Sequence, residues 1–168
     1  MSELLEIVQN KLQSQFGDAL SHTEMAYDFP VFIIKKEAIK PVLEFLKNDE
    51  ELNFHFLTTL CGLHHPENEP EREFGVMYQL HNMPKGWRIR LKTFMHKADM
   101  NVPTVTDLWK TANWMERQEY DFFGFNFVGH PNLTRILNMD EMNYFPMRKE
   151  YALEDETRED KNDTMFGR

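Results

Sequence analysis

A chain of 168 residues that is 41% hydrophobic and 13% aromatic is too apolar for global disorder, and it fits one domain with an arm. Its formal net charge of -9 disfavours nucleic-acid binding, because a surface that tracks phosphates is normally basic. Its single cysteine, Cys61, excludes an internal disulfide and a cysteine-ligated iron–sulfur cluster held by this chain alone.

Residues 3–16 place Leu4, Leu5, Ile7, Val8, Leu12 and Phe16 at helical spacing, with Ser2 as N-cap and Gly17 as terminator. This start has no basic lead into an apolar core, so no signal peptide is expected. No apolar run is long enough to span a membrane, so any membrane association is expected to come through partner subunits. Residues 20–28 carry a weakly marked strand. Val31–Ile34 is a stronger one, opened by Pro30. Glu37–Leu46 returns to helical spacing through Ile39, Val42, Leu43 and Leu46, with Pro41 in the first turn, and 48–51 closes it.

Phe54–Leu63 reads as a buried strand, followed by the polar tip H-H-P-E-N-E-P-E-R. Phe74–Leu80 is the next strand and 82–86 a turn. Trp87–Met95 alternates Trp87, Ile89, Leu91, Thr93 and Met95 with Arg88, Arg90, Lys92 and Phe94, the pattern of a half-buried antiparallel strand. Residues 99–103 form a loop. Thr104 or Thr106 caps a last helix, with Asp107 near its start and Leu108, Trp109, Ala112, Trp114 and Met115 along it. The economical packing is an α+β, two-layer domain over residues 1–137: a mixed, largely antiparallel sheet with helices on one face. An extended C-terminal arm follows over 138–168, either disordered or ordered across a partner through Tyr144, Phe145, Pro146 and Tyr151, and it includes the acidic run 154–160.

Residues 116–137, E-R-Q-E-Y-D-F-F-G-F-N-F-V-G-H-P-N-L-T-R-I-L, interleave rings with charges. Ions among rings are costly unless each finds a partner, so the stretch reads as a docking surface on a rigid support. Phe122, Phe123 and Phe125 read as core. Glu116 and Glu119 share a helix face, and Arg117 and Asp121 have the spacing of an intrahelical salt bridge. That pattern fits structural ion pairs better than an acid–base pair. Arg135, Arg148 and Lys149 form either a solvated face or pairing sites for acidic groups on a partner.

His64, His65 and His130 with Glu67 and Glu69 supply enough donors for a metal. Adjacent strand histidines point to opposite faces, however, and no H-E-x-x-H spacing occurs. An independent metal-dependent enzyme is therefore the weakest reading. G-x-S-x-G, G-x-G-x-x-G and P-loop motifs do not occur, and Cys61 lies in an apolar run.

The stretch W-M-E-R-Q-E-Y-D-F-F-G-F-N-F-V-G-H-P-N-L-T-R-I-L resembles the signature of the C subunit of NADH–quinone oxidoreductase, the thirty-kilodalton subunit family of respiratory complex I. T-V-T-D-L-W-K-T-A-N-W is similar to the approach to that signature, F-G-V-M-Y-Q-L and W-R-I-R-L-K to its strand pair, and Y-F-P-M-R-K-E-Y-A-L to its closing segment. The resemblance implies a non-redox structural subunit of the peripheral arm of a proton-translocating enzyme. It implies contacts with the quinone-site D subunit and the cluster-bearing B and I subunits, on the cytoplasmic side of the cell inner membrane. FMN, iron–sulfur clusters and quinone would belong to other subunits, with no cofactor, metal or catalytic residue here. Carried over by position, the structural and docking residues are Glu116, Arg117, Glu119, Tyr120, Asp121, Gly124, Gly129, His130, Pro131, Arg135, Arg148 and Lys149. Related membrane-bound hydrogenases and quinone reductases fed by other donors carry an equivalent subunit.

Overall fold

The computed structural model describes residues 2–151; the acidic run and the rest of 152–168 lie outside the described residues. Helix α1 spans Ser2–Phe16, and Gly17 ends it with a φ of 48°. Strands β1 (Leu20–Ala26) and β2 (Phe29–Ile34) form a hairpin whose two turn residues, Tyr27 and Asp28, both have positive φ. A strand running to residue 28 is thus corrected to end at 26. A two-residue hairpin matches strand twist best with left-handed turn residues, and without the usual glycine the turn leaves no obvious signature.

Helix α2 (Ile39–Asn48) follows, and Ile39, Val42, Leu43 and Leu46 are all buried along its stripe. Strands β3 (Phe56–His64), β4 (Phe74–Asn82) and β5 (Trp87–Met95) form an antiparallel meander. The sheet order is β1-β2-β5-β4-β3, with β2 and β5 parallel and the other pairs antiparallel. This is the mixed, largely antiparallel sheet of an α+β fold.

Cross-strand register sets the core. Tyr78 lies opposite Leu91 and Leu60, and Phe32 opposite Leu91, so one sheet face collects Phe32, Leu60, Tyr78, Leu80, Ile89 and Leu91. Val8 and Leu12 of α1 and the stripe of α2 join that cluster. The other face carries polar pairs instead: Arg90 donates to Gln79 at 3.1 and 3.2 Å, and Lys92 meets Glu24 at 3.5 Å. Period-two alternation along β5 therefore decides which face the helices cover.

The last helix, α3, spans Ala112–Phe123, shorter than the reading from Thr104 or Thr106. Residues 101–103 form a short strand, β6, where the sequence predicts a loop, parallel to β7 (Asn126–Val128). Thr104 continues that extended path, its N–H donating to Val128 O at 3.0 Å. Leu108 and Trp109 lie before the helix, Leu108 in a turn, and the Trp109 indole N–H donates to His55 O at 3.0 Å.

Candidate functional site

Helix α3 crosses β3 over Gly62. A methyl group there would sit 2.6 Å from Phe123, 2.7 Å from Glu119 Oε2 and 2.8 Å from Phe125. Glycine in a strand interior often marks such close approach. Gly62→Ala is expected to cost about 1–3 kcal/mol through overpacking, as chemical denaturation would measure. A neutral result would mean that α3 docks less tightly than this geometry shows.

Three carboxylates leave α3 in different directions, and all are buried. Glu116, fully buried, accepts from the Thr104 hydroxyl at 2.6 Å and from Val105 N–H at 2.7 Å. The threonine that reads as a helix cap is instead a donor to a glutamate twelve residues on. Glu119 accepts from the Gly62 N–H at 2.6 Å, closing an outward main-chain donor of the edge strand β3. Burial pushes each of these acids up to about 7, against the pull of those bonds.

Asp121 is the densest node. It accepts from the consecutive N–H groups of Ile136, Leu137 and Asn138 at 3.2, 2.8 and 2.9 Å, and from the Asn138 amide at 3.0 Å. Arg135 Nη1 completes it at 2.7 Å. Burial opposes its charge, but the Asn138 and Leu137 N–H groups and Arg135 hold its carboxyl well below the usual range. The expected Arg117–Asp121 bridge is not formed. Arg117 donates instead to the carbonyls of Thr134 and Arg135 and to the Thr134 hydroxyl, and its guanidinium lies 5.1 Å over Trp114. The three aligned N–H groups and Arg135 occupy Asp121 on its buried side, while Arg117 is only partly buried.

The closing segment folds back over this helix. Gly124, with φ 82°, ends α3, and a methyl group on it would meet Arg148 and Phe145 at 2.7 Å. Tyr120 meets Phe145 edge-on at 6.4 Å. Arg135 Nη2 donates to Met142 O at 2.8 Å and Tyr144 O at 3.2 Å. The Arg148 guanidinium lies between the Phe74 and Phe145 rings, at 5.3 and 4.6 Å, and its Nε donates to Phe123 O at 2.7 Å. Neither arginine is a solvated face; both tie the segment to the domain. Lys149 contributes its backbone N–H, which donates to His64 Nδ1 at 2.9 Å.

Gly129, with φ 87°, turns the chain after β7 beside Thr104. His130 donates from Nε2 to Asn113 O at 3.1 Å and accepts from Asn132 N–H at Nδ1. Pro131 is exposed. His64 is buried and paired with Glu73, whereas His65 is partly exposed near Glu67. Among the described residues no three of the histidines, cysteine and acids gather as a metal centre would require. Cys61 is half-buried, and burial together with the Glu119 carboxylate pushes its thiol up.

Residues 32–157 match the family model of the respiratory-chain NADH dehydrogenase 30-kDa subunit. The chain belongs to that family. The C subunit of the NADH-quinone oxidoreductase of Citrifermentans bemidjiense is 39% identical over 150 residues, covering 89% of this chain and 90% of its own. The combined C/D subunit of Acinetobacter baylyi is 33% identical over 150 residues, which cover 86% of this chain and 25% of that longer one. Among solved structures, the trypsin-resistant fragment (1–134) of Nqo5 superposes with a TM-score of 0.62 at 30% identity, over 79% of this chain and 98% of the fragment. A chain of an archaeal membrane-bound sulfane sulfur reductase gives 0.71 at 25% identity, over 88% and 85%. This member of the 30-kDa family has, in its described residues, no helix long and apolar enough to cross a membrane.

The carboxylates of α3 are legible in the sequence as groups needing partners. Gly62, Thr104, Val105 and Asn138 are not marked there as those partners. A lone glycine in an apolar strand is the one available signal among them.

Proposed function

We propose that this chain is a non-redox structural and assembly subunit of the peripheral arm of a proton-translocating NADH–quinone oxidoreductase. It seats against the quinone-site D subunit and beside the cluster-bearing B and I subunits. In this reading FMN, iron–sulfur clusters and quinone belong to those neighbours and to other subunits. The chain itself has no catalytic residue, and it reaches the cytoplasmic face of the inner membrane only through its partners.

The observation that carries the reading is how polar and apolar groups divide along the closing segment. The main chain and the arginines of 135–151 turn inward, onto Asp121, Phe123 and Phe74. The large apolar side chains left outward are Leu137, Met139, Tyr144, Met147 and Tyr151, among the exposed polar residues Asp140, Glu141, Asn143, Lys149 and Glu150, with Trp114 exposed on α3. Large apolar side chains held outward on a fixed support suit a protein partner. The Acinetobacter relative, whose name joins C and D in one polypeptide, supports the D subunit as the neighbour. Glu116, Arg117, Glu119, Tyr120, Asp121, Gly124, Gly129, His130, Pro131, Arg135, Arg148 and Lys149 serve this seat chiefly by shaping it. The likeness to the archaeal reductase favours a second reading, the same seat in a related respiratory complex fed by another donor.

Purification of a tagged chain from its native membranes tests both. The D and B subunits should be recovered with it, and Leu137→Asp combined with Met139→Asp should lower their recovery about tenfold, as expected for loss of apolar anchors worth roughly 1.4 kcal/mol or more. Recovery of hydrogenase or sulfur-reductase components in place of an NADH-oxidising module would select the second reading. A chain recovered alone would overturn both.

A further inference from the structure

The buried apolar side chains of α1, α2 and α3 all join one cluster, on the sheet face of Phe32, Tyr78 and Leu91. Val31 and Ile33 are buried too, but they belong to the opposite face and lie outside that cluster. Register sets Arg90 beside Val31 and Lys92 beside Ile33. Long cationic side chains can lay their stems over aliphatic neighbours and keep their heads in water. Among the described residues, then, this face is roofed by side chains of the sheet itself rather than by a helix.

Its charge is one-sided. Arg88, Arg90 and Lys92 alternate along β5 and project from this face about 7 Å apart. Glu24 is the one carboxylate in all five strands of the sheet, and it meets Lys92 at 3.5 Å. Arg90 gives Nε and Nη2 to the Gln79 amide oxygen and lies 5.3 Å over the Phe29 ring, which leaves Nη1 for another acceptor. Arg88 is exposed opposite His81 and meets no carboxylate among the described residues. In a chain of net charge -9 this is a local reversal of sign. Three like charges on alternate residues repel one another, and an opposing row of carboxylates relieves that repulsion.

We propose that this open sheet face is a docking surface for an acidic segment of another protein, with Arg88, Arg90 and Lys92 as the ladder that reads it. Alternate residues of an extended segment have the same spacing as the ladder, so Asp or Glu at every second position pairs with it, the arginines through planar forks. Beyond Lys92 a cleft of about 460 Å³ opens beside Ile33, Phe94 and Met95. Its Lys and Arg side chains are matched by as many carboxylates, so it offers room for an apolar side chain rather than further charge. A nucleic-acid duplex or an anionic bilayer would also press its charge against the acidic remainder of the chain, whereas a short segment engages the ladder alone. The closing segment packs on α3, where Met147 N–H donates to Phe122 O and Arg148 to Phe123 O. The apolar seat and this surface are therefore separate, and neither depends on the other.

Thr59 lies opposite Gln79 on the open face and is the place for a photocrosslinker. The full chain carrying p-benzoylphenylalanine in place of Thr59, irradiated in its native membranes, should join another polypeptide at a stretch rich in Asp and Glu. Arg88→Gln combined with Lys92→Gln should lower that adduct about fivefold, with a urea midpoint close to wild type. The purified chain should bind a labelled decapeptide of alternating Glu and Thr, about tenfold more weakly as salt rises from ~0.05 to ~0.5 M. The same peptide with Gln for Glu should not bind. Four results would each overturn the proposal: no adduct, an adduct confined to this chain's own residues 154–160, an undiminished adduct in the folded double variant, or tighter binding of duplex DNA or phosphatidylglycerol vesicles than of the acidic peptide.

Discussion

Asp121→Ala is expected to destabilise the chain by about 3–5 kcal/mol, the largest single-residue effect among the charged groups of the site. The carboxylate is fully buried and receives five donors: three consecutive backbone N–H groups, the Asn138 amide and the Arg135 guanidinium. Alanine removes every acceptor at once and leaves Arg135, whose side chain is 9% exposed, without its counter-ion. Arg135→Ala should cost less, because the N–H groups of 136–138 still neutralise the carboxylate. Asp121→Asn should fall between wild type and alanine: one oxygen remains, but the new amide N–H groups face donors. Urea denaturation gives the three values, with an unchanged slope marking a loss of stability rather than of compactness. An Asp121→Ala protein within about 1 kcal/mol of wild type would mean that residues 134–144 are held by something other than this hub.

What is readable in the sequence divides from what is not along a physical line. The stripe of α2 and the alternation of β5 stand out because each element buries one face, and burial imposes its own period. The β6–β7 pair does not stand out. Strands of three residues have no period, and this pair is held beside Asn101 and Asn126, whose side chains bond at 2.6 Å. Thr104, Thr106 and Asp107 imitate a helix start because the groups that cap a helix also terminate a strand. The cost of burying ions shows that Glu116, Glu119 and Asp121 need partners. It does not show which ones: Asp121 finds Arg135 fourteen residues away and Glu119 finds Gly62 fifty-seven away, through the path of the loops. Arg117, four residues from Asp121, is the partner that local spacing suggests, and the long-range geometry displaces it.

Above about pH 5 the stability of this chain should fall as the pH rises toward about 8. Burial holds Glu116 and Glu119 up to about 7, while a glutamic acid in the unfolded chain loses its proton near ~4.3. Between those values the folded chain binds more protons than the unfolded one, so raising the pH favours unfolding until both forms are ionised. Asp121 acts in the opposite sense. Held below its ordinary range, it contributes stability that is present above the unfolded value near ~3.9 and is lost as acid brings the pH down through the folded one. Each glutamate accounts for on the order of 2 kcal/mol of the fall. Glu116→Gln isolates one of them. Its amide oxygen can still accept from Val105 N–H and its N–H can donate to the Thr104 hydroxyl. The variant should match wild type near pH 5 and exceed it by about 2 kcal/mol near pH 8 in paired denaturant titrations. If it is instead the less stable protein near pH 8, the Glu116 carboxyl is not held up in the fold, and its bonds from Thr104 and Val105 outweigh the burial around it.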